Sequence, residues 1–365
     1  MCGILYTSFN LSNDEIFKTE SLVKLRGPDY RNIQNINGNT FAHHLLHITG
    51  AKTPQPLIKE NSILIYNGEI YNYKKLGEYE SDGYSILDVF NNQNIDGLRS
   101  LDGEFSGVIK KENFIYIFRD TFGTKPLFFS EDQRGIAVAS YQSQLHALGF
   151  KSAKRAPVNC VLKYNLKTKE QTRYSLKQFS LNQHKNNFDD WESAFIESIK
   201  KRTENTQVNY FIGLSGGYDS GLISHTLNKL NKDYFSYSVV AEEDYKTLVK
   251  RGKLSLKHKL IKLNKKQYDQ QKKFVNKFCE EFKGSFNYSV RKDKGAIGTG
   301  IICELAKKDG CKVYLSGQGS DEILSDYGYN GNGPSYSQIK GLYPESLESI
   351  FPWENVYNGQ QENFI

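Results

Sequence analysis

Short apolar runs separated by turn clusters fill the first half of the chain. Gly3-Ile4-Leu5-Tyr6, Ile63-Leu64-Ile65-Tyr66, Gly107-Val108-Ile109, Phe114 to Phe118 and Ala137-Val138-Ala139 are each too short for a helix and predict buried strands. Arg26-Gly27-Pro28-Asp29, Asn67-Gly68, Asp102-Gly103 and Phe122-Gly123 predict the turns between them. A polar, pattern-free stretch around 182–187 predicts a linker. Trp191, Phe195 and Ile199 then recur every four residues, which predicts an amphipathic helix.

After that helix the rhythm becomes strand, turn, helix. Tyr210 to Leu214 is an apolar run, Ser215-Gly216-Gly217-Tyr218-Asp219-Ser220 a turn, and Leu222, Ile223, Leu227 and Leu230 the apolar face of a helix. Residues 234–240 and 253–263 predict further strands, and a helix over 296–308 precedes the strand Val313-Tyr314-Leu315. Lys246 to Lys273 intersperses Leu254, Leu256, Leu260 and Leu263 among its lysines, which predicts a strand with one wet face. Such alternation implies an α/β fold with a largely parallel sheet. Two domains follow, a sheet-rich one over 1–182 and a strand–helix one over 188–365.

Composition narrows the class. A formal charge of +7 is spread among 41 acidic residues, so no basic patch for nucleic acid stands out. No apolar run approaches the ~20 residues of a membrane span, and the mean hydropathy of -0.59 fits a water-exposed globular chain. The five cysteines show no Cys-x-x-Cys pair and no ligand spacing with histidine, which argues against disulfides and structural zinc and for a reducing cytoplasm. His43, His44 and His47 lack a matching second ligand set and read as structural.

Candidate chemistry begins at Cys2. Removal of Met1 leaves a thiol and a free α-amine on one residue, and an amine titrating near ~7.7–8.0 can take the proton of a thiol titrating near ~8.5. Taken alone, Cys2 reads as a bystander, as most cysteines near an N-terminus are. Ser215 to Ser220 lies between a buried strand and a helix start, where glycines let backbone amides close on phosphate and the Ser215 and Ser220 hydroxyls donate to it. Asp219 there suits a Mg²⁺ ion. No Gly-Lys-Ser/Thr follows, so this is not a Walker loop, and an ordinary glycine turn is the plain alternative. Ser316-Gly317-Gln318-Gly319-Ser320-Asp321-Glu322 repeats the arrangement after another strand, and two such loops in one parallel sheet face a nucleotide crevice. The Asn67 amide and the Gly68 N–H suit an oxyanion hole, or else a plain hairpin turn, and Asp82 suits a helix N-cap.

Taken in order, these motifs resemble the asparagine synthetase family, class II glutamine amidotransferases fused to a PP-loop ATP pyrophosphatase domain. The matching residues are Met1-Cys2-Gly3-Ile4, Arg26 to Asp29, Asn67 to Asn72, Ser81-Asp82, Asp102 to Phe105, Arg119-Asp120, Gly123 to Leu127, Ser215 to Ser220 and Ser316 to Glu322. The resemblance implies an N-terminal Ntn-hydrolase αββα sandwich, then a PP-loop parallel-sheet domain. It implies that Cys2 attacks the glutamine amide, that Asn67 and Gly68 stabilise the oxyanion, and that Leu45, Ile48, Thr49, Glu69 and Asp82 surround the glutamine. It implies that Leu214, Ser215, Gly216, Gly217, Asp219, Ser220, Val239, Ser316 and Gly317 bind ATP, with Asp219 and Asp321 as Mg²⁺ carboxylates and Gln318 at the acyl-adenylate. Glutamine, ATP and aspartate are the implied small-molecule partners, with neither nucleic acid nor membrane; a homodimer is compatible with that build.

Three departures stand out. Ala42-His43-His44-Leu45-Leu46 carries Leu45 where the family has the arginine that pairs with the glutamine carboxylate. Gln318 replaces a family glutamate and cannot act as a base. The chain also stops at Ile365, short of the usual family length, and its stretch from Gly331 onward holds Lys340 as its only lysine and no arginine. Weak ATP binding and little amide formation are therefore expected, with glutamine hydrolysis remaining. The leading expectation is a glutamine-hydrolysing asparagine synthetase. An amidotransferase acting on another carboxylate, such as a uronic acid of a surface polysaccharide, is the first rival. A glutaminase supplying ammonia beside an incomplete synthetase site, and a catalytically dead regulatory protein, are the others.

Overall fold

The structure, a computed structural model, describes residues 1–178, 186–240, 244–280 and 294–317. Its contacts divide the chain into two compact units, Met1–Ser180 and Leu181–Ile365. No described helix is long and apolar enough to cross a membrane.

The first unit runs β1 (Gly3–Thr7), α1 (Asn13–Val23), β2 (Tyr30–Ile36), β3 (Asn39–Leu45), β4 (Leu57–Lys59), β5 (Ser62–Ile70), α2 (Tyr73–Leu76) and α3 (Gly83–Leu98). It continues with β6 (Gly103–Lys111), β7 (Phe114–Arg119), β8 (Phe128–Asp132), β9 (Gly135–Ala139), α4 (Gln142–Ala147), β10 (Lys154–Arg155), β11 (Cys160–Asn165) and β12 (Gln171–Ser175). The strands form two six-stranded sheets, ordered β10-β8-β9-β1-β3-β2 and β12-β11-β7-β6-β5-β4. Side chains alternate between the faces of a strand, and that period sorts the core. Ile4, Tyr6 and Phe41 of the first sheet meet Ile63, Ile65, Val108 and Ile117 of the second, so the sheets pack face to face. Leu64 and Tyr66, on the opposite face of β5, pack against Ile86, Leu87 and Phe90 of α3. On the far side, α4 packs on β8, β9 and α1. Helix, sheet, sheet and helix make the expected αββα sandwich.

One turn expectation fails. Asn67-Gly68 is no hairpin turn: β5 runs through it, with Asn67 opposite Ser106 and Gly68 opposite Phe105 of β6. The pairing partner extends beyond the apolar run, and a run of apolar residues does not report where its partner ends.

The second unit runs α5 (Asp189–Glu204), β13 (Asn209–Gly213), α6 (Tyr218–Lys229), β14 (Phe235–Val239), α7 (Tyr245–Gly252), β15 (Lys257–Ile261), α8 (Lys265–Phe278), α9 (Lys294–Lys308) and β16 (Cys311–Leu315). Its four strands are parallel, in the order β15-β14-β13-β16. Tyr210 and Ile212 face α5 and α6, while Phe211 faces Ile302 and Ala306 of α9, so helices cover both sheet faces. From β13 the chain steps to β14 and β15 on one side, and β16 lies on the other. The carboxyl ends of β13 and β16 therefore flank a topological switch point, where open α/β sheets bind ligands.

The lysine-rich run from 246 to 273 is mostly helical, contrary to the wet-strand expectation. Only Lys257–Ile261 is strand, and α7 and α8 take most of the rest. Leu254 and Leu256, which suggested a period of two, are 55% and 63% exposed, while Leu248 on α7 and Val275 on α8 are buried. Asp244 caps α7, and Asn264 with Gln267 forms a capping box at the start of α8.

Candidate active sites

In the first unit, strand parity carries the chemistry to one place. Cys2 precedes β1 on the face of Ile4 and Tyr6, and Asn67 continues the face of Ile63 and Ile65 on β5. Both therefore point between the sheets, and Cys2 lines a cleft there. The lining also includes Leu45, Leu46, His47, Ile48, Thr49, Gln55, Tyr66, Gly68, Glu69, Ser81 and Asp82.

The Cys2 thiol is held at the rim of β3. The Leu46 N–H donates to Sγ at 3.4 Å, and Arg26 Nε donates to the Cys2 carbonyl at 2.9 Å. Arg26 Nη1 reaches the Tyr141 hydroxyl at 3.1 Å, so the guanidinium fastens the nucleophile strand to the start of α4. Burial pushes the thiol up, opposed by the terminal ammonium and the Leu46 amide. Burial also pushes the Met1 amine down to about 5, opposed first by the charge of Cys2.

Asn67 is fully buried, and neither its Nδ2 nor its Oδ1 has a hydrogen-bond partner among the described residues. The hydroxyl of Ser106, opposite it on β6, is buried and unpartnered too. Buried polar groups are rarely left so, and a buried amide donor is what an oxyanion needs. At Gly68 a Cβ would lie 2.1 Å from the Glu104 carbonyl oxygen, so only glycine lets β6 approach here.

Two carboxylates occupy the other wall. Glu69 is pushed up to about 8, first by burial and then by the charge of Asp82, with the Thr49 hydroxyl and Lys125 opposing. Burial raises Asp82 as well, against bonds from the Ile70 N–H at 2.8 Å and the Tyr66 hydroxyl at 2.7 Å. Asp82 sits at the N-cap position of α3 but makes no side-chain cap bond, because its oxygens serve Tyr66 and Ile70 instead. Leu45 is buried in the lining, and no lysine or arginine is among the lining residues. His47 fixes the loop after β3, its N–H donating to Asp29 at 2.8 Å and its Nε2 lying 2.8 Å from the Gly50 carbonyl. His43 is buried on β3, where the Gln55 N–H reaches its Nδ1, and His44 lies 3.2 Å from Glu20.

In the second unit, Ser215 to Ser220 follows β13 and opens α6. The Ser215 N–H donates to Ser220 Oγ at 3.0 Å, the two hydroxyls lie 2.8 Å apart, and the Gly217 N–H donates to Ser215 Oγ at 3.1 Å. Both hydroxyls thus shape the turn. The Leu214 N–H donates to the Tyr237 carbonyl at 2.8 Å, which ties the turn to β14, whose last residue is Val239. Asp219 lies in the first turn of α6. A Cβ on Gly317 would stand 2.6 Å from the Asp219 Cβ, so Ser316-Gly317, after β16, abuts the phosphate-loop candidate. Gln318 and Asp321 lie outside the described residues. Among those described, Asp219 is the one proposed Mg²⁺ carboxylate, and no group of three or more His, Cys, Asp or Glu gathers as a metal cage.

Several residues escaped the sequence reasoning. Arg26, Gln55, Tyr66 and Ser106 support the first site through strand partners that the sequence does not announce. Arg251 on α7 donates to two carbonyls of the Ser215 turn. Its signal was Leu248 with Gly252, a helical spacing hidden among lysines.

Comparisons with known proteins agree with this division. Residues 1–181 match the family model described as glutamine amidotransferase domain, and residues 190–356 match the one described as asparagine synthase. A putative glutamine-hydrolysing asparagine synthetase of Methanocaldococcus jannaschii is 30% identical over 82% of this chain and 61% of its own length. Probable glutamine-hydrolysing asparagine synthetases of Dictyostelium discoideum and Schizosaccharomyces pombe are 25% and 28% identical, over 93% and 92% of this chain and 68% and 67% of theirs. The chain thus spans about three fifths of the first relative and about two thirds of the others.

Proposed function

Residues 1–181 belong to the glutamine amidotransferase domain family and residues 190–356 to the asparagine synthase family, and from that premise we propose that the chain acts as a glutamine-dependent asparagine synthetase. The observation that carries the reading is the convergence of Cys2, Gly68 and the Glu69–Asp82 pair on one cleft, with the buried Asn67 amide, unpartnered among the described residues, next to Gly68 in the chain.

Once Met1 is removed, the α-amine of Cys2 takes the thiol proton, and the thiolate attacks the side-chain carbonyl carbon of glutamine. The carbonyl oxygen becomes an oxyanion, held by Asn67 Nδ2 and the Gly68 N–H. The ammonium of Cys2 returns its proton to the departing nitrogen, and ammonia leaves a thioester. Water, deprotonated by the same amine, then releases glutamate and restores the thiol. Glu69 and Asp82 grip the substrate α-ammonium, and Leu45, Ile48 and Thr49 line the cleft around the same α-carbon end.

In the second unit the β-carboxylate of aspartate attacks the α-phosphorus of ATP and pyrophosphate departs. Ammonia then attacks the acyl carbon, and AMP leaves with the formation of asparagine. Leu214 to Ser220, Val239, Ser316 and Gly317 receive the nucleotide at the carboxyl ends of β13, β14 and β16. Mg²⁺, held through Asp219 and Asp321, supplies charge neutralisation to the polyphosphate when bound. A reducing cytoplasm suits a thiol nucleophile. Gln318, in place of a glutamate, supports a second reading in which the acceptor is another carboxylate. The test is AMP formation from ATP with glutamine over a set of acids, aspartate first. Ammonia release without AMP from any acid would remove the synthetase half of the proposal.

A further inference from the structure

The turn between β13 and α6 is held from outside by a cation on another element. Arg251 Nη1 donates to the carbonyl oxygens of Ser215 and Gly217, at 2.8 Å each. In a trans peptide the C=O and the N–H point in opposite directions. Capturing the Ser215 carbonyl therefore turns the Gly216 N–H away from the guanidinium, and capturing that of Gly217 does the same to the Tyr218 N–H. An independent feature seats the side chain. A Cβ on Gly221 would stand 2.9 Å from Arg251 Cζ and 3.0 Å from both Nη atoms. Gly221 lies inside α6, where glycine is a poor helix former and alanine the best. A residue that weakens the helix thus stands where the guanidinium needs room.

We infer that Arg251, seated against Gly221, is the positioning residue of a polyphosphate-binding turn: it sets the Ser215–Gly217 backbone with the Tyr218 amide facing the anion. This rests on the reading of the second unit as a nucleotide site. Arginine keeps its charge at any working pH, and its several donors in one rigid plane let one nitrogen serve two carbonyls. The guanidinium also brings positive charge to the turn that holds Asp219.

The experiment measures dissociation constants of Mg-ATP and of pyrophosphate for the full chain by calorimetry, with thermal midpoints alongside. Glutamine-dependent ammonia release serves as the control in the first unit. Arg251→Met should weaken both ligands at least about tenfold, as expected when a charged hydrogen-bond donor is lost, and Arg251→Lys should recover most of that loss. Gly221→Ala should weaken both several-fold by displacing the guanidinium, while its midpoint holds or rises because alanine favours the helix. A merely structural clamp predicts the opposite pairing, with affinity lost only as the midpoint falls. Wild-type affinity in Arg251→Met, or in Gly221→Ala, overturns the inference. Failure of the wild-type chain to bind either ligand overturns the nucleotide reading itself, and the inference with it.

Discussion

Asn67→Leu separates a catalytic amide from a structural one, because the two roles move activity and stability in different directions. Asn67 has no exposed surface, and both of its polar side-chain atoms lack partners among the described residues. A buried polar group without a partner costs roughly 1–3 kcal/mol, and leucine replaces it at nearly the same shape, so little cavity is left. Relief of that cost in a unit of this size raises the thermal midpoint by about 2–4 °C per kcal/mol, a gain of about 2–12 °C. Loss of one oxyanion donor costs about 2.7–4 kcal/mol of transition-state stabilisation, or ~10²–10³ in kcat. The oxyanion exists only along the reaction path, so KM for glutamine should change little. The assay is steady-state ammonia release from glutamine, paired with a thermal melt of the same sample. A kcat within about threefold of wild type would refute the oxyanion role. A midpoint that drops by several degrees would show that Asn67 braces β5 instead.

Further outcomes follow from the same geometry. Cys2→Ala should abolish ammonia release from glutamine while ammonia-dependent AMP formation survives; retained hydrolysis would remove Cys2 from the chemistry. Glu69, pushed up to about 8, must be ionised to hold the substrate ammonium, so glutamine binding releases a proton below that pH. KM for glutamine should fall as pH rises from 6 towards 8 and then level off, with Glu69→Gln flattening the profile; a flat wild-type profile would contradict it. Leu45→Arg adds a charge-assisted partner for the substrate carboxylate, worth about 1.5–3 kcal/mol when fully realised. KM should drop at least several-fold, and an unchanged KM would mean that the carboxylate is already held. Asp219→Asn should leave ammonia release intact and lower adenylation by ~10² or more, and pyrophosphate release at the wild-type rate would contradict the Mg²⁺ role.

The strands of the first unit were legible as dense apolar runs, and Ile63 to Tyr66 sorts itself between two cores without help from its neighbours, whereas the αββα arrangement came only from the family resemblance. The nucleotide turn was legible because strand, Ser-Gly-Gly and helix stand consecutively. Other features were hidden for a physical reason. The end of β5 depends on the length of β6, which is a property of the partner strand. The helices α7 and α8 are hidden by composition. Their lysines mask the apolar period, and only the caps at Asp244 and Asn264 mark where helix begins. Once α7 is a helix, Arg251 no longer lies on a wet strand face, and its charge reaches the loop carbonyls. The expectation of too little positive charge near the phosphates rested on the stretch from Gly331 onward, which lies outside the described residues, and in part on that mistaken strand.

The first cleft holds groups that the fold itself leaves strained. Asn67 and Ser106 have no partners among the described residues, and Glu69 holds its proton far above the usual carboxylate range. Each of these opposes folding, and for Glu69 the sign is explicit. Its pKa is higher in the folded chain than in the unfolded one, so the fold binds the extra proton and loses stability as pH rises towards 8. Gly68 and the β5–β6 pairing hold the strand in place against these costs, since the ladder continues on both sides of Asn67. A substrate that brings an ammonium for Glu69 and an oxyanion for Asn67 removes the dissatisfaction at the two positions where it arises. Binding energy is thereby directed to the groups that act in the reaction, and a cleft already satisfied with itself would have none to direct.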